Sequence, residues 1–343
     1  MPPVPDVDVL VAGGGPVGLA SAIEARLAGL SVAIVEPRSG VIDKACGEGL
    51  MPGTVAELAR WGVHPSGCRI AGFAYLQGVR RAEYRFAGGG GLGVRRLELH
   101  GALSARAAEL GVERVAGRVD GVVQSATTIA AGGVSARWLL ACDGLHSTVR
   151  RQLGLEREPG RRRRFGLRRH FAVEPWTDLV EVHWSEAAEA YVTPVGEGTV
   201  GVAVLAPPGL GFDAALVGFP ELAARLSGAV AASSLRGAGP LRQRTRGRVR
   251  GRALLVGDAS GYVDALTGEG LRVGFAQARA AVAAIAGGEP QGYEREWRRV
   301  TRDARLITQG LLAAAQSPAR RAIVPAARAL PGVFGFAVER LAR

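Results

Sequence analysis

The first hydrophobic run, Val7 followed by Val9, Leu10, Val11 and Ala12, has strand length and breaks at once into glycine. Residues 19–30 then have helical composition, and residues 31–35 read as a second strand ending on Glu36. Residues 37–53 show no regular period, residues 54–61 suit a short helix, and residues 69–75 and 80–86 alternate as strands do. A glycine-rich loop at residues 87–93 leads to Arg96 and a helix over residues 97–110, with Leu99, Leu103 and Ala107 at helical spacing. Short strands are expected at residues 112–115, 118–124 and 127–129, and an apolar strand at 137–142 runs straight into Asp143 and Gly144.

The strongest β pattern lies between residues 166 and 205, where Phe171, Val173, Val180, Val182, Tyr191, Val200, Val202 and Val204 mark short strands divided by turns. Residues 212–226 read as helix, and an arginine-rich stretch, 236–250, returns to a strand at 253–256 that ends on Gly257 and Asp258. The rest is helical: residues 271–286, 291–315, then shorter pieces at 319–329 and 333–342 separated by Pro318, Pro325 and Pro331. The pattern predicts an α/β fold with an inserted antiparallel sheet. Residues 1–75, 94–160 and 245–290 would form a discontinuous Rossmann-like dinucleotide domain. Residues 76–93 and 161–244 would form a substrate-binding sheet, and residues 291–343 a helical C-terminal segment.

The first break carries chemistry. Gly13, Gly15 and Gly18 form G-x-G-x-x-G between strand and helix. In that setting the first glycine permits the tight turn, the second lets a pyrophosphate reach the backbone, and the third lets helix and strand pack closely. The helix start offers free N–H groups and a positive dipole end to phosphate. Glu36 falls where a carboxylate can accept from a ribose hydroxyl. An isolated glycine motif is an ordinary turn; with strand, helix, second strand and acid in order, it is a dinucleotide site.

Composition narrows the class. The 343 residues are 48% hydrophobic and 22% charged, a globular balance. The net charge is +12, yet Lys44 is the only lysine and the arginines are scattered, apart from the run at residues 161–164, which reads as a solvated basic surface. Nucleic acid is therefore not an expected partner. Cys46, Cys68 and Cys142 lack metal or redox spacing, so no metal site is expected and a reducing compartment fits. The N-terminal Met-Pro-Pro-Val-Pro-Asp lacks the regions of a signal peptide, and a cytoplasmic location is the expectation, as monomer or homodimer.

Three motifs then combine: the glycine turn with Glu36, the D-G-x-x-S-x-x-R of Asp143 to Arg150, and Gly257-Asp258 at a strand end. Together they resemble the flavoprotein monooxygenase superfamily of para-hydroxybenzoate hydroxylase and geranylgeranyl reductase, over nearly the whole chain. The resemblance implies FAD, with NADPH or NADH as a transient donor. It places Gly13, Gly15, Pro16, Gly18, Glu36 and Arg38 at the adenosine end and Arg96 at the flavin. Asp143 and Gly144 would lie near the pyrophosphate, and Gly257 and Asp258 at the ribityl chain. Gly268, Glu269 and Gly270 would face the flavin pyrimidine edge, and Cys46 and Gly47 would lie beside its reactive face.

Gly261 replaces the histidine usual in aromatic hydroxylases, and residues 262–270, like the loop Lys44-Ala45-Cys46-Gly47-Glu48-Gly49, are similar to the geranylgeranyl reductase group. Catalytic candidates are Cys46, Tyr191 and His183, the last sharing strand parity with Glu181. The expected reaction is hydroxylation or epoxidation of an apolar phenolic or polyketide-like molecule; the alternative is hydride transfer to an isoprenoid or other alkene. A non-catalytic flavin- or lipid-binding protein is the reading of another class. For the tail, with Ile323, Val324, Leu330, Val333, Phe334 and Phe336 among arginines, capping of the substrate cavity is preferred over peripheral contact with an anionic membrane.

Overall fold

In the computed structural model, which describes residues 5–158, 160 and 163–343, two sheets are assembled from interleaved parts of the chain. The first has the strand order Val249–Arg250, Ala253–Leu255, Val134–Ala141, Val7–Ala12, Val32–Glu36, Glu113–Ala116. Four of its five pairings are parallel, all but that of Val249–Arg250 with Ala253–Leu255, and Val9 lies between Trp138 and Val32. Such a sheet is covered on both faces, which is why Val7–Ala12 is nearly continuous in apolar residues. Val9 and Val11 enter one core with the helices, and Leu10 and Ala12 enter the core on the opposite face.

The helix after the glycine turn spans Pro16–Leu27, three residues earlier than the composition suggested. Pro16 occupies the first helical turn, where its missing N–H costs nothing, and Gly29 at φ +80° stops the helix in the left-handed region. Helix Gly270–Ala286 crosses it at close range. A Cβ on Gly274 would lie 2.5 Å from Val17 Cγ2. Helix Gly292–Ala315 packs outside that one.

The second sheet has the order Val230–Ala231, Phe165–Ala172, Thr199–Ala206, Glu189–Gly196, Leu179–Trp184, Gly72–Gln77, Arg80–Arg85. The chain crosses into it at Gly72, ahead of the expected division after residue 75, because a Cβ there would meet the Tyr84 carbonyl oxygen at 2.0 Å. Only a glycine lets the two strands start that close. The expected helix at 212–226 is two short ones, Phe212–Leu216 and Pro220–Arg225, since Pro220 must open a helix rather than continue one. They cover one face of this sheet; the other face looks into the cleft between the sheets. In the segments expected to be irregular, Gly49–Leu50 and Gly91–Gly93 pair in a small sheet with Cys68–Ile70.

The tail folds as Pro318–Ala322, Ile323–Ala329 and Pro331–Ala342 over Gly72–Gln77 and Arg80–Arg85. Phe334 sets its ring 4.9 Å from that of Tyr75. The basic run is not uniformly solvated. Arg163 is exposed, but Arg164 is buried in ion pairs with Glu189 and Asp264, and burial of the two acids demands a cation there. Arg161 and Arg162 lie outside the described residues, as do residues 1–4 of the expected leaderless start. Among the described residues no single helix is long and apolar enough to cross a membrane.

Candidate active site

The carboxyl ends of the parallel strands frame a cleft of about 630 Å³, a size suited to a dinucleotide. Each motif glycine is needed for a distinct reason. Gly13 sits at φ +96° with the Cys142 carbonyl 2.9 Å from where a Cβ would stand, and a Cβ on Gly18 would fall 1.9 Å from the Gly13 carbonyl. Among the described residues Gly15 has nothing within 4 Å of that position, so its backbone is open to the cleft.

Glu36 is buried at the cleft wall. Its Oε2 accepts from the Gly14 N–H (2.8 Å) and its Oε1 from the Arg38 N–H (3.0 Å) and Nε (2.7 Å). Burial pushes the carboxyl up, but the Arg38 side chain and the two amides outweigh it and hold it below the usual carboxylate range. It therefore faces the cleft as an anion able to accept from hydroxyl groups.

Asp143 Oδ2 takes the Val149 N–H (3.1 Å) and the Thr148 hydroxyl (3.3 Å), capping the helix Thr148–Gln152. Its Oδ1 is buried with no hydrogen-bond partner among the described residues, and so is the Nε of Arg96, which also lines the cleft. Asp258 lies at the far end, 3.7 Å from Lys44 Nζ. An open phosphate cradle, an anionic hydroxyl acceptor, and an orphaned acceptor and donor facing the same space fit FAD. Gly13, Gly15, Glu36, Asp143 and Asp258 would hold its adenosine, pyrophosphate and ribityl portions. Arg150, the last member of the second motif, does not reach the cleft. It donates to the Leu145 (2.8 Å) and Ala259 (3.1 Å) carbonyls and so ties the Asp143 loop to the Asp258 loop.

Past Asp258 the cleft continues into a cavity of about 190 Å³ under the second sheet. Its wall includes Phe73, Val180, Tyr191, Leu205, Tyr262 and Leu271, with Lys44, Cys46, Gly47, Arg96, Gly268 and Gly270 where it meets the cleft. The Tyr191 hydroxyl donates to the Leu266 carbonyl at 2.6 Å, and burial pushes its pKa well above the usual value. Tyr191 is thus a protonated wall residue that anchors the 264–270 loop. Glu269, between the two cavity glycines, turns away. It borders a separate small cavity of about 50 Å³ between helices Gly270–Ala286 and Gly292–Ala315. There Oε2 accepts from Arg272 (2.6 Å), Oε1 is buried without a hydrogen-bond partner among the described residues, and burial pushes the carboxyl up to about 7 against the pull of Arg272.

His183 is not brought to the cavity. It shares a face with Glu181 as parity required, but that face lies under the short helices, where His183 Nε2 is 3.2 Å from Glu181 Oε2 and its ring meets Phe219. Val180 and Val182 take the cavity side of the strand. Glu181 is already matched there by Arg81 (2.8 Å) and Trp176 (3.0 Å), so the group forms a closed structural network.

The loop bearing Cys46 is held by residues that the motifs did not single out. Glu48 has φ +60° and a fully buried carboxylate, whose Oε1 accepts from the Arg96 N–H (2.8 Å) and whose Oε2 lies 2.6 Å from His170 Nε2. Arg168 Nη1 is 3.2 Å from His170 Nδ1 and can only donate, so Nε2 carries the proton that His170 gives to Glu48. Arg168 also binds Asp43, and Thr193 donates to the Gly47 carbonyl (2.8 Å). Cys46 Sγ accepts from the Glu48 N–H at 3.4 Å and lies at the cavity wall. The only local sign was an acid between two glycines.

Comparison with known proteins agrees with this geometry. A family model described as "FAD binding domain" matches residues 6–71 and 94–206. Menaquinone reductase of Mycolicibacterium smegmatis is 30% identical over 327 residues, covering 84% of this chain and 79% of that enzyme. Para-nitrophenol 4-monooxygenase of a Pseudomonas species is 32% identical over 174 residues, 43% of this chain and 42% of that enzyme. A flavoprotein/dehydrogenase structure from Cytophaga hutchinsonii superposes with a TM-score of 0.85 at 18% identity, covering 98% of this chain and 92% of that one, a likeness of fold. The glycine cradle, the buried acid at the second strand and the paired aspartates at two further strand ends place the chain in the FAD-dependent monooxygenase superfamily, as an FAD-dependent oxidoreductase.

Proposed function

We propose that the protein is a flavin-dependent reductase of an alkene in an apolar, prenyl-type substrate. The observation that carries this reading is the Cys46 thiol at the wall of an otherwise largely apolar cavity, on a loop fixed by the buried Glu48, His170 and Arg168 group. The likeness to menaquinone reductase over most of both chains supports it, and so does the resemblance of the 44–49 and 262–270 segments to reductases.

Bound FAD, reduced by NADPH or NADH, would supply the hydride. The apolar wall from Phe73 to Leu205 would hold the chain of the substrate and exclude water from the double bond. Cys46 Sγ would give the proton that completes saturation, so that the alkene gains one hydride and one proton. Solvent would return the proton to sulfur by way of the cleft at Lys44, which lines both spaces. Tyr191 would keep its proton on the Leu266 carbonyl and serve as wall.

The test is anaerobic mixing of the NADPH-reduced holoprotein with a short-chain prenylated naphthoquinone. Flavin reoxidation with a saturated side chain in the product is expected. Cys46→Ser should retain FAD while saturation slows by about 10²-fold or more, the usual worth of a placed acid. Undiminished saturation in Cys46→Ser would remove the thiol from the reaction. A second reading, oxygenation of an apolar phenol, draws on the similarity to para-nitrophenol 4-monooxygenase. Under labelled oxygen it requires label in the product, which reduction does not give.

A further inference from the structure

We infer that the C-terminal helical pair is a docking surface for an anionic phospholipid bilayer. Its two faces do different work. Val324, Phe334 and Val338 point inward, against the second sheet and the side of the cavity near Tyr75. Leu330, Val333 and Phe336 are 57%, 64% and 68% exposed. Leu330 lies between Ile323–Ala329 and Pro331–Ala342, and Val333 and Phe336 follow three residues apart on the outward side of the second helix, continuing an exposed stripe from it. The two helical stretches meet at a 99° bend, so the stripe begins at a corner of the molecule.

The charge around this corner selects the partner. Residues 318–343 carry five arginines, Arg320, Arg321, Arg328, Arg340 and Arg343, against a single acid, Glu339. Arg328, exposed on the turn before Leu330, has no ion pair or side-chain hydrogen bond among the described residues. Arg320 is half-buried against Glu189, while Arg321 and Arg340 are tied to Glu186 and Asp303 at the surface. Exposed apolar side chains beside the unpaired Arg328 match a bilayer in which phosphate meets the cation and acyl chain meets the stripe. A second protein surface would have to supply both an apolar socket and an acid for Arg328. The proposal concerns the surface and goes beyond the reading of the cavity; it stands or falls separately from the reductase.

The test uses the FAD-loaded full chain in flotation with phosphatidylglycerol–phosphatidylcholine vesicles and with pure phosphatidylcholine vesicles. Binding to the anionic vesicles that weakens with salt is expected. The double variant Val333→Ser with Phe336→Ser should weaken it about tenfold or more, with FAD content and turnover of a soluble substrate unchanged. Arg328→Glu should weaken binding to the anionic vesicles alone. Absence of wild-type binding to anionic vesicles would overturn the proposal. So would equal binding by the double variant, or a concentration-dependent dimer that the double variant abolishes, since a second copy would then cover the stripe.

Discussion

Replacing Glu48 by alanine should lower the melting temperature of the holoprotein by about 4–7 °C. The carboxylate is fully buried and serves three groups: the Arg96 amide, His170 Nε2 at 2.6 Å and, 3.8 Å away, Arg168 Nε. Its removal leaves Arg168, itself 1% exposed, with Asp43 as its remaining carboxylate. Breaking a buried charge network at one member costs about 3–5 kcal/mol. Unfolding entropy of about 2.1 cal/mol/K per residue gives roughly 0.7 kcal/mol/K for 343 residues, and the quotient is the stated shift.

Two companion variants separate the causes. Glu48→Gln keeps an oxygen for the Arg96 amide and should fall between wild type and alanine. Glu48→Gly loses the same contacts as alanine but is free of the strain of an L-residue at φ +60°, and should melt above it. Release of flavin fluorescence on heating reads all three. A shift for Glu48→Ala inside about 1 °C, the size of a neutral surface change, would refute the clamp.

Asp258→Ala should purify folded but depleted of FAD, because Asp258 sets a carboxylate at the junction of cleft and cavity; flavin content equal to wild type would take it out of the site. Glu269 has a carboxyl pushed up to about 7 by burial, above the 4.5 of a solvated glutamate. The unfolded chain therefore binds fewer protons at this group between those values. Its share of stability is full below about 4.5 and lost as pH rises through about 7. Glu269→Gln should flatten that segment of the melting-temperature profile, and an unchanged slope would show that the carboxyl is already ionised in the fold.

The dinucleotide half was legible because its requirements are local. Gly13, Gly18 and Glu36 lie within one strand–helix–strand unit, and steric closeness at Gly18 admits no other residue. Asp143 and Asp258 follow apolar strands directly, so each could be placed at a strand end without knowing the sheet order. Helix starts were less exact. Val17 and Gly18 belong to the helix, but glycines and proline in sequence read as turn until the cap geometry is known.

The cavity half was less legible for a different reason. Alternation tells which residues share a face, and it correctly grouped Glu181 with His183. It identifies the buried face only when the other face is wet. Here all six residues of Leu179–Trp184 are buried, because helices cover one side and the cleft loops and tail cover the other. Parity therefore could not distinguish the face that lines the cavity from the face that meets Phe219. The same double cover hides Glu48. Its partner His170 is 122 residues away, and the pair forms only because the second sheet closes over the Cys46 loop. A carboxylate placed there by long-range closure has to be matched by cations from the covering strand, and Arg168 and His170 lie on that one strand, two residues apart. The clamp thus fixes the Cys46 loop only where the second sheet is seated over it, and ties the position of the candidate proton donor to the element that shapes the cavity.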